Sequence, residues 1–286
     1  MRFGLQIGWQ DAAQLRDVAQ AAEGLGFDAV YFPDHLVHEG PERQRVEEAA
    51  YDPIVQAAVV AGCTRRVRIG HLVLCNLFRH PAVTARSLAT LDEALTCIRG
   101  LWTAAPFSFT GEFYDFREAV LLPRPRQRPH PPFLLGGSGR GLLRIAARHA
   151  DNVNIVAATG REGYIAMKEV GKLTDATFRG KVGFLREEAA RAGRDATAPE
   201  VSQTLFTVML TDGAAATRQN AEMFGGMLGL PPDEVLRSPL TLIGTPEECV
   251  VELQRRRREW GIAETIVSAR DEGVLRRFAE EVIARV

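Results

Sequence analysis

Two spacings of apolar residues alternate along the chain, period two and then helical period. Phe3, Leu5 and Ile7 stand between small or polar residues and predict a first strand. Asp11 can cap a following helix, with Leu15, Val18, Ala19, Ala22 and Leu25 on one stripe and Gly24 and Gly26 ending it. Ala29-Val30-Tyr31-Phe32 predicts a second strand, closed by Pro33-Asp34-His35. Residues 38–51 are polar and charged and are expected to form a long exposed loop. A helix from about Asp52 to Ala61 follows, with Pro53 at its first position. Val67 to Cys75 predicts a third strand. Repeated strand–helix alternation implies parallel strands, in a barrel or in a doubly wound sheet.

A long stripe comes next. Thr84, Leu88, Leu91, Leu95, Ile98 and Trp102 keep helical phase without a break. They predict one helix of roughly 22 residues, ~33 Å at 1.5 Å per residue. Residues 106–122 alternate around Thr110-Gly111-Glu112 and predict a β-hairpin. Pro123, Pro125, Pro129, Pro131 and Pro132 stiffen the connector beyond it. Asn152 to Val156 is another strand, 157–172 a mixed insertion, and Thr174 to Ala192 a helix ended by Gly193. Val201 to Leu210 predicts one strand, and Asp212 starts a helix. Met223 to Leu230, with Gly225, Gly226 and Gly229, reads as breaker-rich. Thr245 as N-cap, Pro246 at the first helical position and Glu248 three residues on make a capping box. Thr265 to Ser268 is the last strand, before a C-terminal helix.

The candidate chemistry lies where Phe133-Leu134-Leu135 meets Gly136-Gly137-Ser138-Gly139 and a helical pattern begins. In that pattern Leu142, Ile145, Ala146 and His149 share one face, and Arg140, Arg144 and Arg148 another. A strand, glycine turn and helix in this order bare backbone N–H groups at a helix N-terminus, which carries about half a positive charge and suits a phosphate. A tight turn with no ligand is the plainer alternative.

Charge and composition narrow the field. The 286 residues are 46% hydrophobic and 25% charged, with a net charge of −1. No field draws in nucleic acid or an acidic membrane surface, and no apolar run reaches the ~18 residues of a membrane span. The N-terminal residues are strand-like, not a signal peptide. Cys63, Cys75, Cys97 and Cys249 are scattered, without metal-ligand spacing or a disulfide framework, so no metal site is expected and a reducing cytoplasm is the default. His80, His130 and His149 are expected to be structural or surface residues, and Arg255–Arg258 a solvated helix face.

Several short stretches, in order, carry a resemblance. They are Phe32-Pro33-Asp34-His35, Leu72 to Pro81, Leu122 to Pro129, Leu135 to Gly139, Ala146 to Asp151, and Leu242-Ile243-Gly244-Thr245-Pro246-Glu247-Glu248. Together, over nearly the whole length, they resemble the luciferase-like monooxygenase superfamily, in particular its F420-dependent oxidoreductase branch. The resemblance implies a single TIM-type α/β barrel spanning residues 1–286, with a deazaflavin or flavin ring over the C-terminal strand ends. It implies coenzyme F420, with FMN as the alternative, a small-molecule substrate and a homodimer. It places His35 as candidate acid/base, with Asp34 beside it near the ring. Leu74, Cys75 and Asn76 match the strand-three bulge that backs the ring, often through a non-proline cis peptide. Gly136, Gly137, Ser138 and Gly139 match the loop near the cofactor phosphate.

The chain departs from that pattern once. Ala89-Thr90-Leu91-Asp92 resembles the end of the third helix, yet it runs straight into Glu93 to Trp102, which resembles the end of the fourth. One strand–helix unit is missing, so the barrel is expected to be contracted or gapped, with seven strands and a seam that a partner subunit could cover. The missing unit holds an acidic residue that acts with the histidine in some F420-dependent dehydrogenases. Glu39 also stands where those enzymes place an aromatic residue. Sugar-phosphate dehydrogenation is therefore not the expected reaction. The readings left open are hydride transfer with F420, an FMN-dependent monooxygenase, and a non-catalytic barrel that binds a flavin or another subunit.

Overall fold

The computed structural model describes residues 1–8, 12–34, 38–39, 45–46, 51–73, 81–104, 106–158, 167–195, 197–268 and 271–286. In chain order the elements are β1 (Arg2–Gln6), α1 (Ala12–Gly24), β2 (Ala29–Phe32), β3 (His38–Glu39), β4 (Arg45–Val46), α2 (Pro53–Cys63), β5 (Arg68–His71) and α3 (Pro81–Thr103). Then come β6 (Phe107–Thr110), β7 (Asp115–Ala119), β8 (Leu134–Gly136), α4 (Arg140–His149), β9 (Asn152–Asn154), α5 (Met167–Val170) and α6 (Asp175–Arg191). The chain closes with β10 (Glu200–Leu205), β11 (Thr207–Leu210), α7 (Ala214–Leu228), α8 (Pro232–Arg237), β12 (Thr241–Gly244), α9 (Pro246–Trp260), β13 (Ile262–Val267) and α10 (Glu272–Glu281).

Seven strands form one parallel sheet in the order β5-β2-β1-β13-β10-β9-β8. Among the described residues this is the barrel order with one strand absent between β5 and β8, which are left as edges. The expected gapped barrel of seven strands is what the chain forms. The third-strand ladder stops at His71, short of the predicted Cys75.

The two sides of the sheet differ in chemistry. Phe3, Leu5, Ile7, Val30 and Phe32 pack outward with Leu15, Leu253 and Phe278 of the surrounding helices. Ala29, Tyr31, Leu72 and Ile266 form a separate inward cluster with Leu134 against it. The Tyr31 ring fits between strands only because Gly4 and Gly70 lack side chains. A Cβ would stand 2.7 Å from the ring at Gly4 and 2.8 Å at Gly70. Tyr31 Oη donates to Glu264 Oε1 at 2.9 Å, and Arg2 and Arg68 flank that buried carboxylate at 3.8 and 3.6 Å. Burial pushes the Tyr31 phenol well above its ordinary pKa. Through this pairing Tyr31 reaches toward the amino-terminal ends of β1 and β5, where Arg2 and Arg68 stand.

α3 runs for 23 residues as a single helix through the junction at Asp92 and Glu93. Its Leu91, Leu95 and Trp102 pack on Phe133, Leu135 and Ile145, with the Trp102 and Phe133 rings stacked at 5.3 Å. Ile98, a member of the predicted stripe, is instead exposed, and Cys97 is buried, because the helix lies against α4 and β6 rather than a fourth strand. The predicted hairpin is β6–β7. Its tip is held by Glu93, whose carboxylate accepts from the backbone N–H groups of Glu112, Phe113 and Tyr114 at 2.9, 3.0 and 3.3 Å.

Other expectations are corrected. The 38–51 segment contains the antiparallel pair β3–β4. The predicted strand Val201–Leu210 is two strands, because the chain turns at Phe206 and β11 leaves the main sheet to pair with β12. The glycines at 225 and 226 lie inside α7, which ends at Gly229 with φ of 68°. On α4 the buried side holds Leu143 and Ala147 as well as Ile145 and Ala146. Arg255 and Arg256 are not a solvated face. Arg256 is fully buried, with Nε on Glu252 at 2.7 Å and a terminal nitrogen on the carbonyls of Ser238 and Thr241 at 2.9 and 2.8 Å. Arg255 pairs with Glu252, Glu259 and Asp175. Glu252 and Glu259 are neighbours on α9 itself, but Asp175, Ser238 and Thr241 are brought in from other segments, which a charge run cannot reveal.

Candidate active site

Parallel strands bring all their carboxyl ends to one rim, opposite the Tyr31–Glu264 pair. At that rim β8 ends in the glycine turn. The backbone N–H of Gly137 donates to the Asn154 carbonyl at 3.0 Å, carrying the β8–β9 ladder one step past Gly136. Gly137 has φ of 145°, and a Cβ there would run into Leu142, so a left-handed, side-chain-free residue is required. Gly139 caps α4 with no side-chain hydrogen bond. Among the described residues, a Cβ at Gly139 or Gly141 would meet nothing within 4 Å. The helix start is therefore both uncapped and unobstructed, which suits a phosphate group.

A cation stands beside this turn. Lys181, from α6, donates from Nζ to the carbonyl of Ser138 at 3.0 Å, and partial burial holds its pKa below the usual lysine value. Sequence reasoning missed Lys181. Its one signal was rarity: Lys168, Lys172 and Lys181 are the chain's three lysines, all in one short stretch, among 32 arginines.

The turn is braced from inside the barrel. Ser202 Oγ donates to Asn152 Oδ1 at 2.6 Å, Asn154 Nδ2 donates to Ser202 Oγ at 3.1 Å, and Thr204 Oγ1 donates to Asn154 Oδ1 at 3.1 Å. All four residues are buried, so the ladder fixes the strand to which Gly137 is hydrogen-bonded.

On the other side of the seam, a non-proline cis peptide lies at Leu72–Val73, just before the Leu74–Asn76 stretch for which the resemblance implied one. Buried Gln6 donates from Nε2 to the Leu72 carbonyl at 3.2 Å. Gln6 was also missed; its signal was a polar residue between Leu5 and Ile7 on the inward parity of β1. Asp34 lies two residues beyond β2 and is half-buried. The predicted His35, Leu74, Cys75 and Asn76 lie outside the described residues, as does Asp11. The structure thus brings Gly136, Gly137, Ser138 and Gly139 to the rim with Lys181, and sets the Leu72–Val73 peptide on the facing edge.

Two surface hollows, of about 460 and 410 Å³, lie at the amino-terminal end around Met1–Arg257 and Glu23–Arg68. Neither reaches the glycine turn. Among the described residues no His, Cys, Asp and Glu group could hold a metal. His130 Nδ1 lies 2.8 Å from the Pro131 carbonyl, and His149 pairs with Asp92, so both are structural.

The family model for luciferase-like monooxygenases matches residues 2–95 and 91–264. This chain belongs to the luciferase-like monooxygenase family. The two matched pieces meet inside α3, where the sequence lacks a strand–helix unit. An F420-dependent glucose-6-phosphate dehydrogenase of Intrasporangium calvum is 28% identical over 207 residues, 56% of this chain and 60% of that protein. The chain thus spans about three-fifths of that relative's length. The corresponding enzyme of Kineococcus radiotolerans is 26% identical over 299 residues, covering 88% of this chain and 82% of its own. Among solved structures, an F420-dependent secondary alcohol dehydrogenase in complex with an F420-acetone adduct superimposes with a TM-score of 0.70 at 18% identity, covering 100% of this chain and 99% of that one. At that identity the superposition speaks for the fold alone.

Proposed function

We propose that this chain is an F420-dependent oxidoreductase, a single barrel domain over residues 1–286, that moves a hydride between the deazaflavin and a small organic substrate. The observation that carries the reading is the open, uncapped start of α4 with Lys181 beside it, at the carboxyl rim of a luciferase-like barrel. The turn of Gly136, Gly137, Ser138 and Gly139 would hold the cofactor phosphate through the backbone N–H groups not already spent on the β8–β9 ladder, with Lys181 adding positive charge. The Leu72–Val73 peptide, fixed by Gln6, and the following Leu74, Cys75 and Asn76 would back the ring. When bound, the deazaflavin supplies the hydride chemistry. His35, oriented by Asp34, would give or take the substrate proton, a task suited to an imidazole whose unperturbed pKa is about 6.5.

The relatives named as glucose-6-phosphate dehydrogenases support F420 as the cofactor. Their substrate is not transferred, because Glu39 and the missing fourth unit remove features expected of sugar-phosphate sites. FMN is the alternative cofactor, since the family includes monooxygenases. We also infer a cytoplasmic homodimer. α2 turns Ile54, Val55 and Val59 outward along a helix with no charged residue from Pro53 to Cys63. Among the described residues no helix is long and apolar enough to cross a membrane.

Titration of the purified protein with F420 and with FMN, followed by fluorescence, tests the cofactor reading. Saturable F420 binding with hydride exchange supports it. FMN binding with oxygen consumption replaces it with the monooxygenase. Binding of neither leaves a non-catalytic barrel.

A further inference from the structure

The two edge strands of the sheet, β5 and β8, are not joined by a ladder, yet they touch at the rim. A Cβ built on Gly136 would lie 2.7 Å from Val73 Cγ1 and 3.8 Å from Leu72 Cδ1. Both partners lie at the last rung of their own ladders or just past it. The β2–β5 pairing ends at Phe32 with His71, after which Leu72 N–H still donates to the Phe32 carbonyl at 2.9 Å. The β8–β9 pairing ends at Gly136 with Asn154. Below the contact, Leu134 packs on the Leu72 and Tyr31 cluster. A side chain entering the space of a missing Cβ therefore stands where a hydrogen-bonded strand would otherwise lie.

The location couples two parts of the site. Val73 contributes the amide nitrogen of the Leu72–Val73 peptide, on the ring side. Gly136 opens the glycine turn, on the phosphate side. Resting on the cofactor reading above, we propose that Val73 against Gly136 is the closure that substitutes for the fourth strand, and that it sets the distance between the ring-backing peptide and the phosphate turn. Val73 and Gly136 are then positioning residues. They act on any ligand that spans both parts and act little on a fragment that occupies one. Val73 is 39% exposed at this point, so enlarging Gly136 is expected to shift the seam without disturbing the buried core. Packing along a surface seam usually behaves as local stability only. Here the two residues carry the two halves of one binding site, so spacing and affinity move together.

The test is a double-mutant cycle on the whole chain, Gly136→Ala, Val73→Ala and both together, read as dissociation constants by fluorescence. The probes are F420, 8-hydroxy-5-deazariboflavin (the ring without phosphate) and inorganic phosphate. Gly136→Ala is expected to weaken F420 about tenfold, and to weaken each fragment by less than about threefold. Adding Val73→Ala is expected to restore F420 to within about threefold of the parent. Val73→Ala alone keeps the native glycine, so it folds whatever Gly136→Ala does, and it should weaken F420 more than either fragment. The proposal fails if the double variant binds F420 as poorly as Gly136→Ala, or if the fragments lose as much as F420. If the parent chain binds none of the three probes, the cofactor reading fails, and this proposal fails with it.

Discussion

The carboxylate of Asp92 accepts a hydrogen bond from Nε2 of His149 at 2.8 Å, tying the junction of α3 to the last turn of α4. Arg148 adds two more bonds to the same oxygen, from Nε at 3.0 Å and from a terminal nitrogen at 2.5 Å. Arg99 completes the clasp by donating to the His149 carbonyl at 2.6 Å. Among the described residues the fused helix has no fourth strand beneath it, so this polar clasp and the Trp102–Phe133 stack hold it in place. Asp92→Ala is expected to destabilise the fold by about 1–2 kcal/mol, since hydrogen bonds to charged groups are worth that order and the site is part-exposed. Urea unfolding would show it as a lower midpoint. An unchanged midpoint would mean that the stack alone docks α3.

The same pair makes stability depend on pH. Burial holds the His149 pKa below its ordinary value, although Asp92 pulls it upward. The cause is visible in the ring: Nδ1 is buried with no partner, so a proton there has no acceptor. The unfolded chain therefore takes up this proton at a higher pH than the folded one. Stability contributed by neutral His149 is present above about pH 6.5 and is lost as the pH falls below it. Burial would raise the Asp92 pKa, but the bonds from Arg148 and His149 outweigh it and leave it below the usual carboxylate value. Its contribution is lost only at still lower pH. Melting curves should fall from pH 7.5 to 5.5, and His149→Gln should flatten that interval.

Tyr31 depends on two missing side chains. Gly70→Ala places a methyl 2.8 Å from its ring. Since the ring is anchored through Glu264, the expected cost is about 1–3 kcal/mol. Gly62→Ala, in α2 with open space around it, should be neutral or stabilising by about 0.5–1 kcal/mol. Equal effects at both sites in calorimetry would refute the packing account of Tyr31.

Lys181 should matter to an anion and not to the fold. Lys181→Met is expected to weaken F420 about tenfold, with Lys181→Arg in between, because a charge-assisted bond beside a helix start is lost or lengthened. Because burial lowers the Lys181 pKa, its charge is lost at lower pH than for an exposed lysine, and F420 affinity should decline earlier on the alkaline side in the parent than in Lys181→Arg. A fluorescence titration across pH decides this. Matching profiles in the two proteins would remove Lys181 from the site.

Local order was legible where it is locally caused. The α9 start was readable because Thr245 and Glu248 satisfy each other's backbone within four residues. The length of α3 was readable because its stripe keeps phase across the junction, and the absent unit through the family resemblance, in which two helix ends adjoin there. Non-local facts were not. Arg256 looked solvated until Glu252, Ser238 and Thr241 surrounded it. Lys181 lies 43 residues from the carbonyl it meets.

By itself the sequence determined alternating parallel strands and helices, with a glycine turn opening a helix, because periodicity, caps and breakers act over a few residues; the barrel short of one unit was what its family resemblance implied. The tertiary structure alone decided how the shortened ring closes. Val73 meets Gly136, Lys181 reaches Ser138, and Gln6 holds Leu72, because distances between segments far apart in the chain are set by packing the whole sheet, not by any neighbour in sequence.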